Sequence, residues 1–319
     1  MSGPAINISV VIPAYNAGAT IRRAIDSVLA QSYPPLEIIV VDDGSFDDTA
    51  DIAGRYGHPV RLIRQGNSQT AAARNLGISS SRGDWIAFLD ADDYWDADKL
   101  AKQADVARWN DDVSLIASGY RTESPETHQY SEQIASPVSW CDRVLTREDV
   151  NPFLLGTRMW TGTVLVKRSA LGDERFVSGL EPAEDRDLWV RLASRTSVWL
   201  MSDSLATCVL EAGSLSRGDI RKDCQSMLAV IDRHQRQMGF LNRLVWRSYT
   251  YYRWAAMEPN SMKSLFLLLQ SFGTWPASLS RMPTMQTLGR SKRLVRVGFD
   301  LIGNVCHWRS ANEPREASL

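Results

Sequence analysis

The chain has 319 residues, a formal net charge of -1 at pH 7 and an apolar content of 44%. That length suits one large domain or a domain with an appendage, and the balanced charge excludes a global electrostatic match to nucleic acid. Cys141, Cys208, Cys224 and Cys306 form no C-x-x-C pair, which excludes a zinc ribbon or thioredoxin-like chemistry and leaves reduced thiols as the expectation.

The N-terminal "MSGPAINISVVIPAYN" lacks the basic and apolar regions of a signal peptide, so a cytoplasmic start is expected. "ISVVIPAY" (8–15) is an uninterrupted apolar, β-branched run, the pattern of a strand covered on both faces. "TIRRAIDSVLAQ" follows with Ile21, Ala24, Ile25, Val28 and Leu29 at helical spacing. "EIIVVDDGS" repeats the strand pattern, "DDTADIAGRYG" predicts an acid-capped helix ending at Gly57, and "VRLIRQ" a third strand. "SQTAAARNLGISSS" predicts a helix, "DWIAFLDAD" a fourth strand, and "DADKLAKQADVARW" a helix capped by Asp96. Alternation of this kind implies a mostly parallel central sheet flanked by helices.

Residues 113–210 are less regular, with strands predicted at "VSLIASGYR", "TGTVLVKR" and "TSVWLMSDSLATCVL" and a loop-rich stretch at 121–147. From about Arg217 the chain turns helical and basic, with Arg243, Arg247, Arg253, Lys263, Arg281, Arg290, Lys292, Arg293, Arg296 and Arg309 interleaved with Trp246, Trp254, Trp275 and Trp308. No window reaches the roughly 18 apolar residues needed to span a bilayer; "SLFLLLQSF" comes nearest.

Asp90, Asp92 and Asp93 crowd the end of the fourth strand, where open α/β sheets bind ligands. In an extended segment Asp90 and Asp92 fall on one side, and such a pair suits Mg²⁺ or Mn²⁺ completed by substrate phosphates. The alternative is that Asp92 or Asp93 only caps the next helix. Asp42 and Asp43 end the second strand before Gly44 and Ser45, which is also the composition of a plain strand-to-helix turn. Pro13, Ala14 and Tyr15 end the first strand at the same edge; Tyr15 can stack on a nucleobase or pack in the core. Asp185 opens "EDRDLWVRLA", a helix anchored by Leu188, Trp189 and Leu192, and a helix N-terminus favours the carboxylate form of an acid placed there. His58, His128, His234 and His307 lack metal-ligand spacing.

"SVVIPAYNAGATIRRAIDSVLAQSYPPLEIIVVDDGSFDDT", "AAARNLGISSSRGDWIAFLDADDYW" and "EDRDLWVRLA" together resemble the inverting family 2 glycosyltransferases of GT-A fold, over about residues 6–217. The resemblance implies that Pro13, Ala14 and Tyr15 contact the nucleoside and that Asp43, with Asp42 beside it, reads the uracil N3–H. Arg74 is similar to the family's nucleotide-side arginine. Asp90 and Asp92 resemble its D-x-D element, with Asp90 near the ribose and Asp92 on a metal bridging the diphosphate. Asp185 matches the catalytic base. Ser214, Ser216 and Arg217 resemble a segment that closes on the diphosphate, although Leu210-Glu211-Ala212 replaces the His-containing stretch that often precedes it.

The expected organisation is a GT-A domain at 1–217, with a nucleotide half at about 6–110 and an acceptor half at about 111–217, then a basic, Trp-rich helical extension at 218–319. The expected reaction moves a hexose such as glucose from a UDP-sugar to a glycan or lipid-linked oligosaccharide, in bacterial exopolysaccharide or lipopolysaccharide assembly. The amphipathic "SKRLVRVGFDLIGNVCHWR" suits either the inner face of the cytoplasmic membrane or packing on the core. A catalytically silent nucleotide-sugar or glycan-binding protein is the alternative. A haloacid-dehalogenase phosphatase is disfavoured because its D-x-D ends the first strand, and a dinucleotide oxidoreductase because G-x-G-x-x-G is missing.

Overall fold

A computed structural model describes residues 5–124, 129–133, 138–210, 219–275, 293–295 and 297. They fall into two compact units, Met1–Leu215 and Ser216–Leu319.

The first unit opens with the expected units: β1 (Ile8–Ala14), α1 (Ile21–Leu29), β2 (Glu37–Asp42), α2 (Thr49–Gly54), β3 (Val60–Arg64), α3 (Gln69–Ser80) and β4 (Trp85–Phe88). After β4 come β5 (Tyr94–Trp95), α4 (Lys99–Trp109), β6 (Val113–Ser124), β7 (Gln129–Gln133), β8 (Val144–Leu145), α5 (Pro152–Gly156), β9 (Leu165–Lys167), α6 (Arg168–Leu171), α7 (Glu184–Ala193) and β10 (Ser197–Val209). They build one sheet of order β3-β2-β1-β4-β9-β6-β10-β5. The parallel expectation holds for β3-β2-β1-β4 and for β6 against β10. Strand β9 runs antiparallel to both β4 and β6, so the whole sheet is mixed.

Both faces are covered, which explains the uninterrupted apolar strands. On one face Ile8, Val10 and Ile12 pack with Ile21, Ile25 and Val28 of α1 and Leu100 of α4. On the other, Val11, Ile86 and Phe88 pack with Ile78 of α3 and Leu188, Trp189 and Leu192 of α7. Helix α7 also lies hard against α5: a Cβ on Gly156 would stand 2.5 Å from the backbone nitrogen of Val190, so only glycine permits this approach.

Strand order fixes where a ligand can enter. From β1 the chain steps outward to β2 and β3, then returns to place β4 on the other side of β1, so the carboxyl ends of β1 and β4 flank a topological switch point. Tyr15 and Leu89 follow these two ends directly, and Leu89 N still donates to Val11 O at 3.0 Å.

Two local expectations change. Asp96 does not cap α4: Asp98 occupies the cap position, and the Asp96 carboxylate pairs with Arg121 on β6. The segment "TGTVLVKR" forms strand only at Leu165–Lys167, because Thr161–Thr163 makes a single 3₁₀ turn.

The second unit contains α8 (Ile220–Arg233), α9 (Gln235–Met238), α10 (Phe240–Met257) and α11 (Ser261–Thr274). Ser248 and Ser271 exchange hydroxyl-to-carbonyl hydrogen bonds of 2.8 Å between α10 and α11, alongside an apolar cluster of Ala255, Leu267, Leu268 and Val297. Among the described residues no helix is long and apolar enough to cross a membrane. Most of "SKRLVRVGFDLIGNVCHWR" lies outside the described residues, as do Ser214, Ser216 and Arg217.

Candidate active site

The loops after β1 and β2 are laced together. Asn16 N donates to Ser45 Oγ (2.9 Å), Phe46 N to Asn16 Oδ1 (3.0 Å), Ala17 N to Thr49 Oγ1 (2.7 Å) and Gly18 N to Asp47 Oδ2 (2.8 Å). Gly44 turns at φ +79°, and a Cβ there would meet Asn67 N at 2.9 Å. This bracing leaves Tyr15 44% exposed at the end of β1, as a stacking role requires, while Ala14 is buried beneath it. Pro13 is buried within β1 as well.

The two acids at the end of β2 are both buried but have different partners. Asp42 is fully buried: Oδ1 accepts from Ser45 N (3.2 Å) and Oδ2 from Arg64 Nε (3.1 Å). Its carboxylate therefore braces the turn that follows β2. Asp43 Oδ1 accepts from Gln65 Nε2 (2.6 Å) and Ser68 N (2.9 Å), which orients the group.

Beyond β4, Asp90–Asp93 is a turn closed by Asp93 N to Asp90 O at 3.1 Å, not the extended segment expected from strand alternation. Asp90 and Asp92 remain half-buried. Asp93 is buried, accepts from Val209 N at 2.8 Å, and has its pKa pushed well above the usual carboxylate range by burial, then by the charges of Asp92 and Asp90. Arg23 of α1 donates to Asp92 O, and its guanidinium lies 5.6 Å from the Tyr94 ring centroid. Among the described residues no three His, Cys, Asp or Glu side chains form a metal cage. Two partly exposed carboxylates on one turn instead fit a hard cation that completes its shell from a bound phosphate.

Arg74 joins this turn to α7. It is 5% exposed; Nη2 donates to Asp90 Oδ1 at 2.7 Å and Nη1 to Glu184 Oε1 at 2.6 Å. The guanidinium expected on the nucleotide is thus engaged by two carboxylates, and its centre stands 5.3 Å from the Phe176 ring centroid. Burial lowers the Arg74 pKa, but the Asp90, Glu184 and Asp185 charges outweigh it and the net shift is upward. Burial raises the Glu184 pKa against the opposing pull of Arg74. Asn75, next along the same motif, clamps Phe176 by donating to its carbonyl and accepting from its amide, both at 2.9 Å. Phe176, Phe88 and Trp189 then pack ring against ring with centroids 5.5 to 5.9 Å apart, fastening the end of β4 to α7.

Asp185 sits in the first turn of α7, where the helix dipole favours a carboxylate. Its Oδ1 accepts from Arg186 N at 2.7 Å and its Oδ2 from Thr161 Oγ1 at 3.0 Å. The structure therefore brings together Asp90, Arg74 and the Glu184-Asp185 pair. Glu184, Asn75, Phe176 and Thr161 carried no assigned role in the sequence. Adjacency to Asp185 and Arg74 was the available signal for Glu184 and Asn75, while Phe176 and Thr161 had none.

The profile of glycosyl transferase family 2 matches residues 9–173. TuaG of Bacillus subtilis strain 168, a glycosyltransferase named for teichuronic acid biosynthesis, is 32% identical over 216 residues, covering 66% of this chain and 81% of TuaG. The glycosyltransferase RT0329 of Rickettsia typhi is 32% identical over 201 residues, and the chain spans only 60% of that relative's length. Among solved structures, TarS residues 1–349 of S. aureus in complex with UDP-GlcNAc superposes with a TM-score of 0.61 at 17% identity, covering 84% of this chain and 81% of that one. The mannosyltransferase PcManGT of Pyrobaculum calidifontis, in complex with GDP-Man and Mn²⁺, gives a TM-score of 0.57 at 17% identity, covering 92% of this chain and 88% of that one. The fold is that of the GT-A glycosyltransferases. The chain belongs to glycosyl transferase family 2.

Proposed function

We propose that this chain transfers a hexose, such as glucose, from a UDP-sugar to a hydroxyl of a glycan acceptor, with inversion at the anomeric carbon. The observation that carries this reading is the Arg74 bridge, which places the acidic turn after β4 and the acidic N-terminus of α7 within one guanidinium of each other. Inversion by direct displacement needs a leaving diphosphate on one side of the sugar and a base on the other, and these two clusters supply complementary halves.

In this reading Pro13, Ala14 and Tyr15 form the nucleoside edge, and Asp43 accepts from the uracil N3–H, while Asp42 holds the turn that presents it. Asp90 and Asp92 would hold Mg²⁺ or Mn²⁺, with Asp90 also near the ribose; Arg217, outside the described residues, is assigned to the diphosphate by the family resemblance alone. The cation supplies Lewis-acid stabilisation of charge on the leaving diphosphate when bound. Asp185 accepts the acceptor hydroxyl's proton as its oxygen attacks the anomeric carbon, and the bond from that carbon to the diphosphate oxygen breaks. Arg74 fixes Asp90 relative to α7.

TarS and PcManGT, solved with UDP-GlcNAc and with GDP-Man and Mn²⁺, support a nucleotide-sugar donor and a divalent cation. The name of TuaG supports a role in bacterial surface polysaccharide assembly. The catalytic domain is taken as residues 1–217 and the helical extension as 218–319. A lipid-linked acceptor and docking on the inner face of the cytoplasmic membrane fit the extension, where Met262, Phe266 and Leu269 are exposed along α11.

Thermal denaturation with a panel of nucleotide sugars tests the donor assignment. A UDP-hexose with Mn²⁺ is expected to raise the melting temperature by several degrees, since a ligand at about 100 times its Kd stabilises by about 2.7 kcal/mol. The rise should shrink without the cation. No shift with any UDP-sugar, or an equal shift without metal, contradicts the assignment.

A further inference from the structure

The Asp185 carboxylate is held by a side chain lying outside all the motifs. We propose that Thr161 is the positioning residue of the base, its hydroxyl fixing which lone pairs of Asp185 face the acceptor; this rests on Asp185 being the base.

The polarity of the contact is set by a third group. Trp189 Nε1, which can only donate, gives its proton to Thr161 Oγ1 at 3.2 Å. The single hydroxyl proton of Thr161 is then directed to Asp185 Oδ2 at 3.0 Å. With Arg186 N donating to Oδ1 at 2.7 Å, each oxygen of the base has one protein donor and keeps lone pairs for an incoming hydroxyl. Thr161 is 1% exposed and Trp189 fully buried, so water does not compete for these contacts.

A buried threonine does not need a carboxylate for satisfaction. In the same turn the buried Thr163 donates to the carbonyl of Trp160, three residues back, at 2.7 Å. Thr161 instead donates to Asp185, and its 3₁₀ turn is held from outside. Trp95 Nε1 donates to Gly162 O at 2.7 Å and Gln103 Nε2 to Thr163 O at 2.8 Å. Gln103 also receives the fully buried Lys99 ammonium at 2.8 Å, which lies 3.8 Å from the Trp95 ring centroid. Trp95 follows the Asp90–Asp93 turn on β5, so the strand leaving the metal-facing turn grips the segment that aims the base.

The other charges facing Asp185 are Arg74 from α3 and Glu184 beside it on α7, and both remain in the variants below. Thr161→Val keeps the shape and removes the hydroxyl. It is expected to lower kcat roughly 10- to 100-fold with donor KM nearly unchanged, because the base is misaimed while the nucleotide site is intact. Thr161→Ser should restore kcat to near wild type. If Thr161→Val folds poorly, Trp189→Phe, which frees the Thr161 hydroxyl to rotate, should lower kcat several-fold, again with donor KM nearly unchanged. Wild-type kcat in the valine protein, serine no better than valine, or an unaffected Trp189→Phe protein overturns the proposal. Asp185→Asn measured alongside separates the two levels: an active asparagine protein removes the base assignment itself, whereas an inactive one beside a normal Thr161→Val removes only the role of Thr161.

Discussion

Arg74→Ala is expected to melt on the order of 10 °C lower than the wild type and to lose transferase activity. Breaking a buried ion pair by removing one partner typically costs about 3–5 kcal/mol, because the remaining charge keeps its desolvation penalty. In a unit of this size each kcal/mol moves the melting temperature by about 2–4 °C. Glu184 is the partner left behind: its side chain is 6% exposed, and Oε2 already lacks a hydrogen-bond partner in the intact protein. Asp90, 26% exposed, can rehydrate and contributes less.

The pH dependence has a definite sign. With Arg74 gone, burial and the Asp185 and Glu181 charges raise the Glu184 pKa, opposed only by a backbone hydrogen bond. A carboxyl group whose folded pKa lies above its unfolded value stabilises the fold below the unfolded value and loses that contribution as pH rises through the folded one. The deficit of Arg74→Ala should therefore be largest at pH 8 and narrow toward pH 5. Adding Glu184→Gln should recover much of the lost stability, and Arg74→Lys should not, because a single ammonium cannot reach both carboxylates with the geometry of the guanidinium fork. Melting curves of these proteins and of Glu184→Gln alone, at two pH values, provide the check, and strict additivity of Arg74→Ala and Glu184→Gln would show that the pair is not coupled.

Asp185→Asn is expected to lower kcat by roughly 10²- to 10⁴-fold, the usual contribution of general-base assistance. Asparagine is isosteric: its Oδ1 can still accept from Arg186 N while its Nδ2 would donate to Thr161 Oγ1, so the fold and the donor KM should change little. A matched fall in kcat and in kcat/KM for donor marks an interaction made only in the transition state. An unchanged kcat would move the base elsewhere, and a large rise in donor KM would place Asp185 in the nucleotide site instead.

The doubly covered strands from β1 to β4 were visible in the sequence because burial on both faces demands unbroken apolar runs, and "EIIVVD" has no polar position to misplace. Helix α7 was visible residue for residue because Leu188, Trp189 and Leu192 mark one face. Long-range pairing was not visible. Asp96 has the composition of a helix cap, yet the Arg121 guanidinium reaches it from β6, and nothing near Asp96 announces that partner. Arg74 meets Glu184 across 110 positions, so the motif showed that an arginine belonged there but not which acids it would hold. Asp42 and Asp43 look equivalent in sequence and are both buried; only the fold shows that Asp42 pairs with Arg64 of β3 while Asp43 accepts from Gln65 and Ser68. Thr161 lay in an expected strand, and nothing near it in sequence announced its hydrogen bond to Asp185, 24 positions on.

The most direct measurement is UDP release from a UDP-hexose in the presence of Mn²⁺ and a glycan acceptor, for the wild type beside Asp92→Asn. Release by the wild type that requires the cation, with at least about a hundredfold loss in Asp92→Asn, is the predicted result. Equal release by both proteins, or release by the wild type that persists unchanged in a chelator, would contradict a donor diphosphate held by a cation on the Asp90–Asp93 turn.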